Sequence, residues 1–117
     1  MISFADEDYW RAMQTLLVEG HIVIDRPRGQ AHPHYPDLIY PLDYGYVEGT
    51  TASDGGGIDV WIGRSGSRTL TGILCTFDTV KRDAEVKLLA GCNPQEVAII
   101  RQFNTLLHTL YVPRPSE

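Results

Sequence analysis

Lysine is almost missing from this chain: Lys81 and Lys87 are the only two in 117 residues, and the other eight permanent cations are arginines. Any anion site must therefore be built mostly from arginine, histidine or hydroxyl donors. A basic field is missing too. Net charge is −5, so nothing overall attracts nucleic acid or an anionic membrane, and neither is expected as a partner. Cysteine is scarce. Cys75 and Cys92 lie among apolar residues without metal-ligand spacing, and read as buried small hydrophobes. No apolar run approaches the roughly 18 residues needed to span a bilayer. The acidic N-terminal stretch carries no signal-peptide pattern, so a cytoplasmic protein is expected. Repeats, low-complexity tracts and linkers are also lacking, and residues 1–117 read as one domain, large enough for a core and too short for two.

What is present alternates between helix and strand signals. Ser3 to Gly20 reads as an amphipathic helix, with Ser3 as cap and Asp6, Glu7 and Asp8 in a first turn that suits acids. Its apolar face is Tyr9, Trp10, Met13, Leu16 and Leu17. That face suits a subunit interface as well as the domain's own core, and a homo-oligomer is expected. Strands are expected over His21–Asp25, Leu38–Tyr40, Tyr44–Val47, Ile58–Ile62 and Leu70–Phe77, with a hairpin turn over Gly63–Arg68. Asn93, Pro94 and Glu96 open a second helix with a capping box, its apolar face being Val97, Ile100, Phe103, Leu106 and Leu107. Leu110–Val112 adds a short last strand. A helix, several short strands and a second helix suggest a small closed or partly closed barrel, mainly β in an α+β chain, with residues 1–20, 21–92 and 93–112 as its three parts.

The chemistry concentrates between Tyr40 and Trp61. Asp54 and Asp59 flank Gly55-Gly56-Gly57, a spacing that suits a turn aiming both carboxylates into one pocket, because glycine admits the positive φ such turns need. In Ile58–Ile62 the alternation puts Ile58, Val60 and Ile62 on one face and Asp59 and Trp61 on the other. An aspartate at such a position needs a cation or donor opposite it. Glu85 and Lys87 share a strand face in the same way. His32 and His34, one proline apart in an extended segment, lie on one side of it, where they can serve a metal, an anion or a polar rim.

Ile24-Asp25-Arg26 with Gly29, the run Tyr40-Pro41-Leu42-Asp43-Tyr44-Gly45-Tyr46, the block Asp54 to Val60, and Glu85-Val86-Lys87-Leu88 together resemble the soluble inorganic pyrophosphatase family over roughly residues 21–112. The resemblance implies a five-stranded OB-like barrel with a helix from each end of the chain packed on it. It implies metal-dependent hydrolysis of pyrophosphate or a related phosphoanhydride at the barrel mouth. Asp54, Asp59, Glu85 and Asp78 or Asp83 would hold magnesium or manganese. Asp54, Asp59, Tyr44 and Lys87 would be catalytic, and Arg26, Arg28, His32, Tyr40, Tyr44 and Lys87 would bind the phosphate-bearing substrate. The chain departs from the family pattern at named places. Gly56 and Gly57 stand where the family has its central acid and a proline, and His21 and Val23 where it has a lysine and a glutamate. His32 stands at the position of a phosphate-binding arginine and Asn104 at that of a lysine. Losing one such acid costs on the order of 10²–10⁴-fold in rate. Weakened hydrolysis is one expectation, and a non-catalytic module binding a phosphate-bearing ligand or a protein partner is the other.

Overall fold

The computed structural model describes residues 5–116. Helix α1 (Asp6–Glu19) leads into strands β1 (Ile22–Arg26), β2 (Asp43–Val47), β3 (Ile58–Ile62), β4 (Leu70–Asp78) and β5 (Asp83–Ala90), then helix α2 (Pro94–Phe103) and strand β6 (His108–Pro113). The class is α+β, as expected. The strand count is corrected from five to six, because β6 gains its length by pairing along β4 from Gly72 to Phe77. The six strands form one mixed sheet in the order β1-β2-β3-β5-β4-β6, with β1 and β6 at its two edges rather than paired to each other.

Two further expectations are corrected. Gly63–Arg68 does not close a hairpin, since β3 pairs in parallel with β5, and β5 lies between β3 and β4. The reason lies in Leu88-Leu89-Ala90, each fully buried. An unbroken apolar run needs cover on both faces, which only an interior strand position supplies. Leu38–Tyr40 is not a strand of the sheet. It is one side of a loop tied across itself by Gly29 N–H to Tyr40 O (2.8 Å), Tyr40 N–H to Gln30 O (2.9 Å) and His32 N–H to Leu38 O (2.8 Å). Pro36 and Pro41 bracket these three residues, and proline has no N–H to extend a ladder.

The helices cover opposite faces of the sheet. Trp10 and Leu17 of α1 pack with Ile22, Val47, Val60, Ile73 and Leu88. Val97 and Ile100 of α2 pack with Trp61, Leu74 and Leu89 on the other side. Each fully buried leucine contributes about 2 kcal/mol through the water-accessible area it removes. Arg68 reaches back to the C-terminal end of α1, donating to Gly20 O at 3.1 Å, and Gln14 ties α1 to β4 by accepting Leu70 N–H at 2.8 Å. The Ser3 cap falls outside the described residues. The capping box of α2 is present: Asn93 Oδ1 accepts from Glu96 N–H (2.8 Å) and Glu96 Oε1 from Asn93 N–H (3.0 Å). The second Glu96 oxygen takes Arg64 N–H at 2.8 Å, which satisfies an otherwise buried carboxylate. The helix ends at Phe103, so Leu106 stays exposed instead of joining the apolar face. Cys92 is buried as expected, whereas Cys75 is only half-buried, packed against the core on the α1 side. Among the described residues, no helix is long and apolar enough to cross a membrane.

The β4–β5 turn carries a local strain. Arg82 has φ of 57°, a left-handed conformation that costs an L side chain about 1–2 kcal/mol and a glycine almost nothing. Glycine's larger loss of chain entropy takes back about half. Arg82→Gly should therefore raise stability by about 0.5 kcal/mol, read as a higher urea midpoint at unchanged slope; a lower midpoint would show that the Arg82 side chain contributes more than its backbone costs.

Candidate functional site

α2 covers only part of its sheet face. Over the rest, side chains from five strands and four connecting segments open into a polar cavity of about 550 Å³, lined by Arg26, His32, His34, Tyr40, Tyr44, Asp54, Asp59, Thr76, Asp78, Lys81, Asp83, Glu85, Lys87 and Leu107 among others. Strand parity explains the gathering. Asp59 and Trp61 share a face of β3 while Val60 belongs to the opposite core. Tyr44 and Tyr46 face the same way on β2, opposite Trp61 and Asp59. Glu85 and Lys87 do so on β5, and Thr76 stands opposite Glu85 on β4.

Lys87 is the centre. Its Nζ donates to Tyr44 Oη at 2.8 Å, to Asp59 Oδ2 at 2.9 Å and to Glu85 Oε2 at 3.2 Å. These use the three donors of an ammonium. The side chain is 8% exposed, against 22% for Asp59 and 15% for Glu85. Burial works against the charge, yet the Tyr44 oxygen and the Asp59 carboxylate outweigh it and hold Lys87 above its ordinary pKa. Burial also pushes the Tyr44 phenol well above its ordinary value, with Asp59 adding to the rise and Lys87 opposing it. Tyr44 therefore acts as a neutral hydroxyl. Its ring is set by Trp61, 4.5 Å away between centroids, and Tyr40, 5.7 Å away. Trp61 Nε1 has no hydrogen-bond partner among the described residues, so packing alone holds that indole.

Gly45 lets this arrangement close. A Cβ there would collide with the backbone carbonyl of Val23, so β1 and β2 approach only because position 45 is glycine. Between Ile24 and Arg26 the β1 register shifts, placing Arg26 opposite Tyr44. Unbroken alternation would have sent Arg26 to the α1 side with Ile22 and Ile24. The bulge turns it into the cavity instead, as bulges re-aim side chains elsewhere.

The glycine turn behaves as its spacing requires. Gly55 has φ of 85°, and Asp54 Oδ1 accepts Gly56 N–H at 2.9 Å. That bond, with a smaller contribution from Glu85, holds the Asp54 carboxyl below its ordinary pKa. Glu85 is shifted the other way, chiefly by burial and partly by its hydrogen bond with Asp54, against the pull of Lys87. In a hydrogen-bonded carboxyl pair pushed apart in this way the raised member, Glu85, takes up a proton before Asp54 does, and a hard cation suits the same place. Asp59 is already engaged by Lys87. Among the described residues no three His, Cys, Asp or Glu side chains gather around one point. A magnesium ion held by Asp54 and Glu85 would thus keep most of its waters, as that ion prefers.

Other expected residues differ in placement. Asp78 Oδ1 caps the β4–β5 turn through Val80 N–H (2.9 Å) and Lys81 N–H (3.0 Å), and these bonds lower its pKa. Asp78 and Asp83 face each other across that turn, and both line the cavity. His32 Nδ1 accepts the His34 N–H at 3.0 Å, leaving the proton of a neutral ring on Nε2. Burial, His34 and Arg26 keep His32 below its ordinary pKa. Tyr40 is buried beside Arg26, and burial raises its phenol. Arg28 lies elsewhere: it lines a separate hollow with Asp43, whose carboxylate holds the Arg28 N–H at 2.9 Å. Asn104 caps α2 and donates to Ile100 O at 2.8 Å, away from the cavity. Val23 pairs with Tyr46 and brings no charge. Sequence reasoning missed Thr76, Lys81 and Leu107. Only Thr76 left a signal, two residues before Asp78 on one strand face.

The chain matches no family model and no curated protein.

Two measurements check this site. Lys87→Met should cost about 3 kcal/mol, because it strands two partly buried carboxylates; adding Asp59→Asn should recover part of the loss in chemical unfolding. Additive losses would mean that the Lys87–Asp59 contact is not a coupling. Glu85→Gln keeps an acceptor for Lys87 and gives Asp54 a permanent donor. Because the Glu85 pKa is raised in the fold, its stabilising protonated form is complete below the unfolded pKa and lost as pH rises through the folded one. The variant should gain stability over the parent at neutral pH and lose that advantage in mild acid. An equal difference at both pH values would contradict the raised pKa of Glu85.

Proposed function

We propose that this chain hydrolyses a metal-chelated phosphoanhydride, pyrophosphate or a close relative, to phosphate. The observation that carries the reading is the charge of the cavity. Arg26, Lys81 and Lys87 face Asp54, Asp59, Asp78, Asp83 and Glu85, so the permanent charges sum to an acidic site. A polyanion enters such a site only with divalent counter-ions. Carboxylate oxygens are the donors magnesium or manganese takes.

The roles follow from position. Asp54 and Glu85 would hold the metal and leave most of its waters in place, with the carboxylates of Asp59, held by Lys87, and of Asp78 and Asp83 lining the same cavity. A metal bound there would neutralise phosphate charge and lower the pKa of a water. Arg26 and the Nε2–H of His32 would orient phosphate oxygens and Lys87 would add its charge from beside Tyr44, and positioning with charge is most of what phosphoryl transfer asks of a protein. The resemblance to soluble inorganic pyrophosphatases supports this reading, and coiling of the sheet into an OB-like barrel belongs to it.

One observation favours a second reading, a module that binds a phosphate-bearing ligand without turnover. Asp59 is bonded directly to Lys87 at 2.9 Å, and Gly56 offers no carboxylate to take its place as base. Position 56 can accept one. Its φ lies outside the left-handed range, and an added Cβ would meet only the flexible Asp54 carboxylate, at 3.3 Å.

Phosphate release from pyrophosphate should rise with added Mg²⁺ or Mn²⁺ and fall at least about 100-fold in Asp59→Asn, while Gly56→Asp should raise it by a similar order. No release above a buffer blank at any metal concentration rules out hydrolysis in the parent chain. If Gly56→Asp also stays silent while metal binding persists, the binding reading replaces it.

A further inference from the structure

Hydrolysis of pyrophosphate gives a task to the Nε2–H of His32 but none to the ring faces and apolar groups of the same wall. The loop between β1 and β2 brings His32, Pro33 and His34 to the rim, with Leu107 also lining the space. We propose that the phosphoanhydride taken here is a nucleoside diphosphate whose base lies against this wall; this rests on the hydrolytic reading above.

Size argues first. The sheet order runs from Arg26 on β1 through Tyr44, Asp59 and Lys87 to Thr76 on β4. Four interstrand steps of about 4.8 Å make a floor of about 19 Å. Two phosphoryl groups joined by one oxygen fill only part of that. A cavity of about 550 Å³ falls in the range that encloses larger organic ligands.

Chemistry argues next. The acidic pair Asp54–Glu85 and the Lys87 ammonium stand on the β3–β5 side, where the diphosphate and its metal belong. The β1 side holds one permanent cation, Arg26, among rings and apolar groups. His32 stacks on Tyr40 with planes only 3° apart and lies 5.1 Å from Tyr35, which is half exposed. This surface is already in place before a ligand arrives. The His34 N–H fixes the His32 ring, and the crossed backbone bonds of residues 29–40 hold the loop. Rigid π-faces and an aliphatic side chain suit a planar base and serve a second phosphate poorly. Since every base has a π-face, little preference among bases is expected.

In the reaction, a water oxygen forms the new bond to the terminal phosphorus as the bond from that phosphorus to the bridging oxygen breaks. Nucleoside monophosphate leaves with the electron pair, and one proton is released with inorganic phosphate.

Binding without turnover is measured by calorimetry with Mg²⁺ and either α,β-methylene adenosine diphosphate or methylenediphosphonate. The nucleotide analogue should bind about tenfold tighter, as one stacked base contributes. In His34→Ala with Leu107→Ala the ratio should fall toward one. Equal binding of the two analogues by the parent chain overturns the proposal, as does a preference that survives the double substitution. Failure of the hydrolytic reading looks different: the preference stands while neither adenosine diphosphate nor pyrophosphate releases phosphate.

Discussion

A single ammonium sets the terms for everything around it. Lys87 lies on a central strand with three oxygens within 3.2 Å and little contact with water. Without those oxygens the charge could not stay there, and without the charge Asp59 and Glu85 would lose the cation that both accept from. The network therefore ties three strands together, β2 through Tyr44, β3 through Asp59 and β5 through Lys87 and Glu85. It also sets the acidic side of the cavity, with Asp54 and Glu85, apart from the ring-lined side of His32 and Tyr40.

The position of β5 is what makes that contact available. Inserted in parallel beside β3, it places Leu88 opposite Val60 and leaves Lys87 next to Asp59. Had β4 followed β3 as a simple hairpin neighbour, β4 would stand between Asp59 and Lys87. The apolar end of β5 drives the insertion and its polar beginning supplies the chemistry. Burial and function are thus met by one strand read in two halves. The aromatic group Tyr40, Tyr44, Trp61 and Phe103 does the same on the α2 side, with Phe103 4.6 Å from Tyr40. It closes the core under α2 and stiffens the edge of the cavity.

Much of this was legible in one dimension. Alternation in Ile58–Ile62 separated Asp59 and Trp61 from the face of Ile58, Val60 and Ile62, and the need for a partner to Asp59 followed from the cost of an unpaired carboxylate. The glycine turn brought Asp54 into the cavity that Asp59 lines. The capping box of α2 was readable because its residues lie within four positions of one another. Where the reading went astray, a longer-range fact intervened. Strand pairing order is set by which elements bury each other, and neither the insertion of β5 nor the extension of β6 leaves a local mark. Arg28 looked equivalent to Arg26, but the bulge after Ile24 aims only Arg26 inward.

The sequence by itself determined the class of the fold, the two faces of the strands and the kinds of side chain that bear chemistry, because period and composition are local properties. Only the tertiary structure decided which of those side chains meet. Lys87 finds Asp59 across 28 residues, and Tyr44 across 43. Such contacts depend on register and sheet order, which are settled by the packing of the whole core and by close approaches such as Gly45 against Val23.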